Sequence, residues 1–187
     1  MSSWMTHSGL DVRWAAVLTA SLIAAVCDVR TRRIPNQLTG LTLVSGLAWS
    51  IHAGGLWGLG SSLSACGLLA APFVVLFVID SAGGGAADAK LMGAIGAWVG
   101  FNQGLVVLTA VLVIGALLSL GYATVKGQLS PVLSNLSVMT GAMACGATRR
   151  IGLSDVRAAM PPTQRMHVVP YGVSILCGVA LAAVVMR

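Results

Sequence analysis

The sequence predicts an all-α, polytopic membrane protein of about six transmembrane helices with both termini outside, and three observations carry that expectation. First, 57% of the residues are hydrophobic and 9% charged, with a mean hydropathy of +0.90, outside the range of soluble domains. Second, the apolar residues fall into six runs, at about 12–27, 38–57, 63–79, 90–101, 104–125 and 168–186, and a span of the ~30 Å hydrocarbon core takes about 20 such residues. Third, the basic residues sit in alternate gaps. Arg30, Arg32 and Arg33 follow the first run, Lys90 the third, and Lys126, Arg149, Arg150, Arg157 and Arg165 the fifth, nine of the 11 in all. Only Arg13 and Arg187 fall on the other side, so the positive-inside rule places those three gaps in the cytoplasm. The expected organisation is one membrane-embedded domain, 1–187.

The first run has no basic stretch before it and ends in Cys27-Asp28-Val29-Arg30, without a small-x-small cleavage pattern; it is expected to be an uncleaved span. The second opens after Ile34-Pro35-Asn36, where proline pre-sets a turn or first helical turn and asparagine serves as a local backbone partner. The third ends at Val78-Ile79-Asp80-Ser81 and leads into Gly83, Gly84 and Gly85. The fourth is short, and either extends back through that glycine stretch or forms a tilted, buried helix. Its Gly93, Gly96 and Gly100 favour close helix contact, the last two at G-x-x-x-G spacing. In the fifth gap, Val132 to Ala147 is interrupted by Ser134, Asn135, Ser137 and Thr140 and suits a re-entrant or interfacial helix. Pro170-Tyr171-Gly172 precedes the last run.

The net charge of +6 does not indicate nucleic acid, because the bases mark loops and are not interleaved with aromatics on a soluble face. Cys27, Cys66, Cys145 and Cys177 are scattered without a C-x-x-C pair, so neither a zinc site nor a disulfide framework is expected, and no metal or organic cofactor is indicated. His7, His52 and His167 stand apart from one another.

All five acidic residues are aspartates: Asp11, Asp28, Asp80, Asp88 and Asp155. Asp28 and Asp88 both fall at the cytoplasmic boundary, where a carboxylate is costly unless it faces water or a partner. Two carboxylates with no glutamate, metal cluster or Ser/His/Asp set beside them suit peptide hydrolysis through a shared proton. The plainer reading makes Asp28 a solvated loop residue paired with Arg30 or Arg32 and Asp88 a helix N-cap. Asp80 is a third acid at the same boundary, a cap for the glycine loop or an aid to the pair. Gly83, Gly84 and Gly85 let a substrate strand approach closely. Lys90 tunes Asp88 or snorkels to the headgroups, and Tyr171 is an interfacial tyrosine or a hydrogen-bond donor into the site.

Asp28-x5-Ile34-Pro35-Asn36, Gly85-Ala86-Ala87-Asp88-Ala89-Lys90-Leu91 and Pro170-Tyr171-Gly172 stand in this order along most of the chain. In them the sequence resembles the type IV prepilin peptidases, membrane aspartic proteases of the G-x-G-D class, and most closely their compact branch serving Flp-type pili. The resemblance implies that Asp28 and Asp88 are the catalytic pair. It implies a prepilin or pseudopilin substrate whose basic leader is removed at the cytoplasmic face of a bacterial inner membrane, with pilus assembly machinery as a possible partner. It places Gly83, Gly84, Gly85, Lys90, Pro170, Tyr171 and Gly172 around the pair as substrate-binding or supporting residues. Larger relatives add a cysteine-rich insert and N-methylate the product, and the insert is missing here, so peptidase activity alone is expected. One departure is Ala87, where the family motif has glycine: its methyl group crowds the substrate or forbids a positive φ. Two other functions fit the composition, a catalytically silent membrane scaffold of a pilus or secretion system, and a small proton-coupled transporter relaying protons through Asp28, Asp80 and Asp88.

Overall fold

A computed structural model describes residues 7–31, 33–79, 85–125 and 171–186. They form four helices: α1 (His7–Thr31), α2 (Asn36–Ile79), α3 (Ala86–Val125) and α4 (Tyr171–Val185). All regular structure among the described residues is helical, as the composition predicts. α1, α2 and α3 contain stretches long and apolar enough to cross a membrane, at Val12–Thr31, Asn36–Phe77 and Ala86–Tyr122, and α4 is a shorter apolar helix. Asp80, Gly83, Gly84, Asp155, Pro170 and the stretch 132–147 lie outside the described residues.

At 44 and 40 residues, α2 and α3 would reach about 60 Å or more if straight, roughly twice the hydrocarbon thickness. Each is broken at a single glycine, Gly55 (φ 57°, ψ −143°) and Gly100 (φ 73°, ψ 179°). A positive φ is open to glycine at little cost and to other residues only with strain, so each glycine turns the chain back in one residue. The two halves of α2 then lie side by side: a side chain on Gly58 would run into the Ser50 carbonyl. In α3, Gly96 and Gly104 on either side of the break both face Ala65. The runs predicted at 38–57 and 63–79 are thus the halves of α2, and those at 90–101 and 104–125 the halves of α3.

A break in a helix deprives backbone N–H and C=O groups of their intrahelical partners. Here α2 supplies the replacements. The Phe101 N–H donates to Ser61 Oγ (3.0 Å), so the Ala97 carbonyl, its ordinary helical acceptor, is satisfied instead by the Ser62 hydroxyl at 2.8 Å. Gly100 is therefore a turn residue, and the helix-contact role expected for it from G-x-x-x-G spacing is not the one it plays. Gly96 keeps that role: a Cβ there would come 2.7 Å from the Ala65 backbone. Trp98 strengthens the same contact by donating its Nε1–H to the Thr42 carbonyl (2.9 Å) and stacking on Trp49 with ring centroids 6.2 Å apart.

The core takes in Leu69 and Phe73 of α2 and Val107 and Val111 of the second half of α3, and three of its buried stripes lead to the site. On α1 the stripe runs Trp14, Val17, Ser21 and Ala24; on the first half of α3, Leu91, Met92, Ile95 and Val99; on α4, Ile175, Val179, Ala182 and Ala183. Spacings of three and four keep each stripe on one helix face. α4 runs antiparallel to the second half of α3, with Gly115 beside Ser174 and Gly178 against Val111.

Candidate active site where three helices converge

Each of the three stripes ends in a residue singled out from the sequence. Asp28 lies four residues beyond Ala24, Asp88 four before Met92, and Gly172 three before Ile175, so each continues its helix's buried face. α1 ends one turn later, where the Thr31 hydroxyl donates to the Cys27 carbonyl (2.8 Å). The chain then passes through buried Ile34 to Pro35, whose carbonyl accepts the Leu38 and Thr39 N–H groups at 3.1 and 3.4 Å and starts α2. Pro35 thus sets the helix start as expected. Asp28 is held between a hydrogen-bonded helix end and an anchored turn.

Asp88 is the third residue of α3, in its first turn, and 9% exposed. It is not the N-cap: the Ala89 N–H already donates to the Gly85 carbonyl at 3.0 Å. An acidic side chain in a first turn is favoured by the partial positive charge of the helix N-terminus. Asp28 is half-buried and close enough to Asp88 for the two carboxyl groups to interact electrostatically. The Gly172 N–H, at the start of α4, donates to Asp28 Oδ2 at 2.9 Å. A Cβ on Gly172 would fall 3.0 Å from both Asp28 Cβ and Oδ2 and 3.1 Å from Ala25 Cα, so only a residue without a side chain fits there undisturbed.

The other residues singled out from the sequence separate into those near the pair and those turned away. Gly85 is the turn residue that opens α3. Lys90 projects from a different face of α3, is exposed, and donates from Nζ to Asn36 Oδ1 at 3.1 Å. Asn36 therefore joins the second motif to the first across 54 residues, where the sequence had suggested only a local backbone partner. This pair borders a groove of about 710 Å³ that includes Cys66, Phe77, Ala89 and Gly93; neither aspartate lines it. Tyr171 is 40% exposed. Ala87 lies within the helical first turn of α3 and packs partly buried against the core, so its backbone needs no positive φ. Among the described residues no group of three or more His, Cys, Asp or Glu could hold a metal ion.

Two aspartates meeting at one end of an all-helical bundle of membrane-crossing length define a helical membrane protein with a paired-carboxyl site. The sequence model of the type IV leader peptidase family matches residues 15–120, more than half of the chain and a range that contains both acids. The chain belongs to that family, and is a leader peptidase-like protease of the membrane whose family acts on prepilin-type substrates in general. Comparison with curated proteins and with solved structures returns no match.

Proposed function

We propose that the chain is an aspartic endopeptidase in which Asp28 and Asp88 together activate water to remove the leader of a prepilin-like protein. The observation that carries this reading is that Asp28 and Asp88, 60 residues apart in sequence, continue buried helix faces that converge and lie within electrostatic reach of each other. Like charges so close are costly to ionise together, so the pair holds one proton between them. The ionised member takes a proton from water, the oxygen adds to the scissile carbonyl carbon, and the protonated member donates to the carbonyl oxygen. No residue besides the pair is needed for proton transfer.

The placement of bases in alternate gaps supports a cytoplasmic active site in a bacterial inner membrane, six crossings and outer termini. The motif order supports the compact Flp-pilus branch with pilus machinery as the setting, and four scattered cysteines without a C-x-x-C pair support cleavage without N-methylation. Cleavage of a prepilin-like substrate by the wild type, Asp28→Asn, Asp88→Asn and Asp80→Asn tests the proposal. The first two substitutions abolish processing and the third largely spares it; full activity in either of the first two excludes the pair.

A further inference from the structure

The two acids are not equivalent in their surroundings. Asp28 is half-buried and accepts a hydrogen bond from a backbone N–H at the first turn of α4, where the amide dipoles favour negative charge. Asp88 is buried beside Leu91, Met92 and Ala89, and no hydrogen bond or ion pair to its carboxyl stands among the described residues. Among the described residues, the charged groups nearby do not reverse this contrast. On α1, Arg30 is exposed; on α3, the Lys90 ammonium is engaged by Asn36; on α4, Tyr171 is exposed; and α2 has no Asp, Glu, Lys or Arg at all.

Given the catalytic pairing just proposed, on which this rests, the geometry points to a fixed division of labour: Asp28 is the ionised base held by the Gly172 N–H, and the shared proton resides on Asp88. Gly172 is then a positioning residue, acting through Asp28 rather than on the substrate. The reaction follows with its protons accounted for. A water O–H bond breaks toward Asp28 while the oxygen bonds to the scissile carbonyl carbon, and the carbonyl oxygen takes the proton of Asp88. In the collapse, the proton on Asp28 passes to the leaving nitrogen as the C–N bond breaks, and one hydroxyl of the intermediate returns its proton to Asp88. The pair ends as it began.

The composition makes this directly measurable. Every acidic side chain is an aspartate, so aspartate labelled with carbon-13 at the side-chain carboxyl marks those five groups and no glutamate. Infrared spectra of the full chain in lipid bilayers at neutral pH read whether a labelled carboxyl is neutral. The expected result is a neutral-carboxyl band in the wild type that persists in Asp28→Asn and vanishes in Asp88→Asn. A band that vanishes in Asp28→Asn and persists in Asp88→Asn, that persists in both, or that is absent from the wild type overturns the assignment. Gly172→Pro removes the N–H donor but brings a ring to a place where even a Cβ falls 3.0 Å from Asp28, so Gly172→Ala, which adds the same Cβ and keeps the donor, is its control. Combined with Asp88→Asn, Gly172→Pro restores part of the band and Gly172→Ala does not, because only the proline takes from Asp28 the group that kept it charged; a band absent from the folded proline double variant, or equal in the two, overturns the role of Gly172. Cleavage is measured separately. A wild type that processes no prepilin-like substrate defeats the peptidase reading whatever the spectra show, whereas a misplaced band in an active enzyme defeats only the division of labour.

Discussion

Replacing Gly172 by alanine places the smallest possible wedge against the acid pair. The new Cβ would stand 3.0 Å from Asp28 Cβ and Oδ2 and 3.1 Å from Ala25 Cα, against ordinary contact beginning near 3.4 Å. One of the two helices must yield by a few tenths of an ångström, and because α1 and α4 share a packed core, overpacking of this kind costs about 1–3 kcal/mol in stability. Displacing a catalytic group by about 1 Å can cost about a hundredfold in rate, so a shift of roughly half that size is expected to lower kcat about tenfold, a barrier increase of about 1.4 kcal/mol. KM changes by less than about twofold, since the wedge presses on Asp28 and leaves the approach of the substrate unchanged. The assay is cleavage of a prepilin-like substrate by purified protein in vesicles, read over time on gels, with thermal unfolding of the same preparation. A stable Gly172→Ala protein with wild-type kcat refutes the claim that Gly172 sets the position of Asp28.

Ser62→Ala leaves the Ala97 carbonyl without its bond at the α3 break and is expected to lower stability by about 1–3 kcal/mol, checked by denaturation in detergent; unchanged stability would show that the break finds another donor. Ala87→Gly is expected to bring no gain in turnover, because the backbone at 87 is already helical, and to cost about 0.5–1 kcal/mol of stability. An increase of about tenfold in cleavage rate would mean that the methyl group obstructs the substrate. Cleavage rate against pH is expected to be bell-shaped, lost in acid when both aspartates are neutral and in base when both are charged; a rate flat across that range is incompatible with a shared proton.

Hydropathy was enough to divide the chain into helices, because an apolar run of membrane length has few other stable forms. It located the interruptions near 57–63 and 101–104 without identifying Gly55 and Gly100 as single-residue turns, since a contact glycine and a turn glycine look alike in sequence. The G-x-x-x-G pattern was correct for Gly96 and misleading for Gly100 for that reason. The association of Asp28 with Asp88 was suggested by family resemblance, yet the residues carry a physical signal for it as well: Trp14, Val17, Ser21 and Ala24 form a stripe that Asp28 extends, and Met92, Ile95 and Val99 one that Asp88 extends. An acid that continues a buried face is more informative than one at a boundary. The Lys90–Asn36 hydrogen bond is not legible, because it depends on how α2 and α3 pack, and of the two roles expected for Gly172, substrate-binding or supporting, its N–H on Asp28 fits the supporting one.

The serine pair that closes the α3 break also fixes an order of assembly. Ser61 and Ser62 precede Ala97 and Phe101 in the chain, so during synthesis the hydroxyl groups emerge from the ribosome before the interrupted backbone that needs them. The later segment can settle against a hairpin already made, and the amide and carbonyl freed at its turn find their partners waiting.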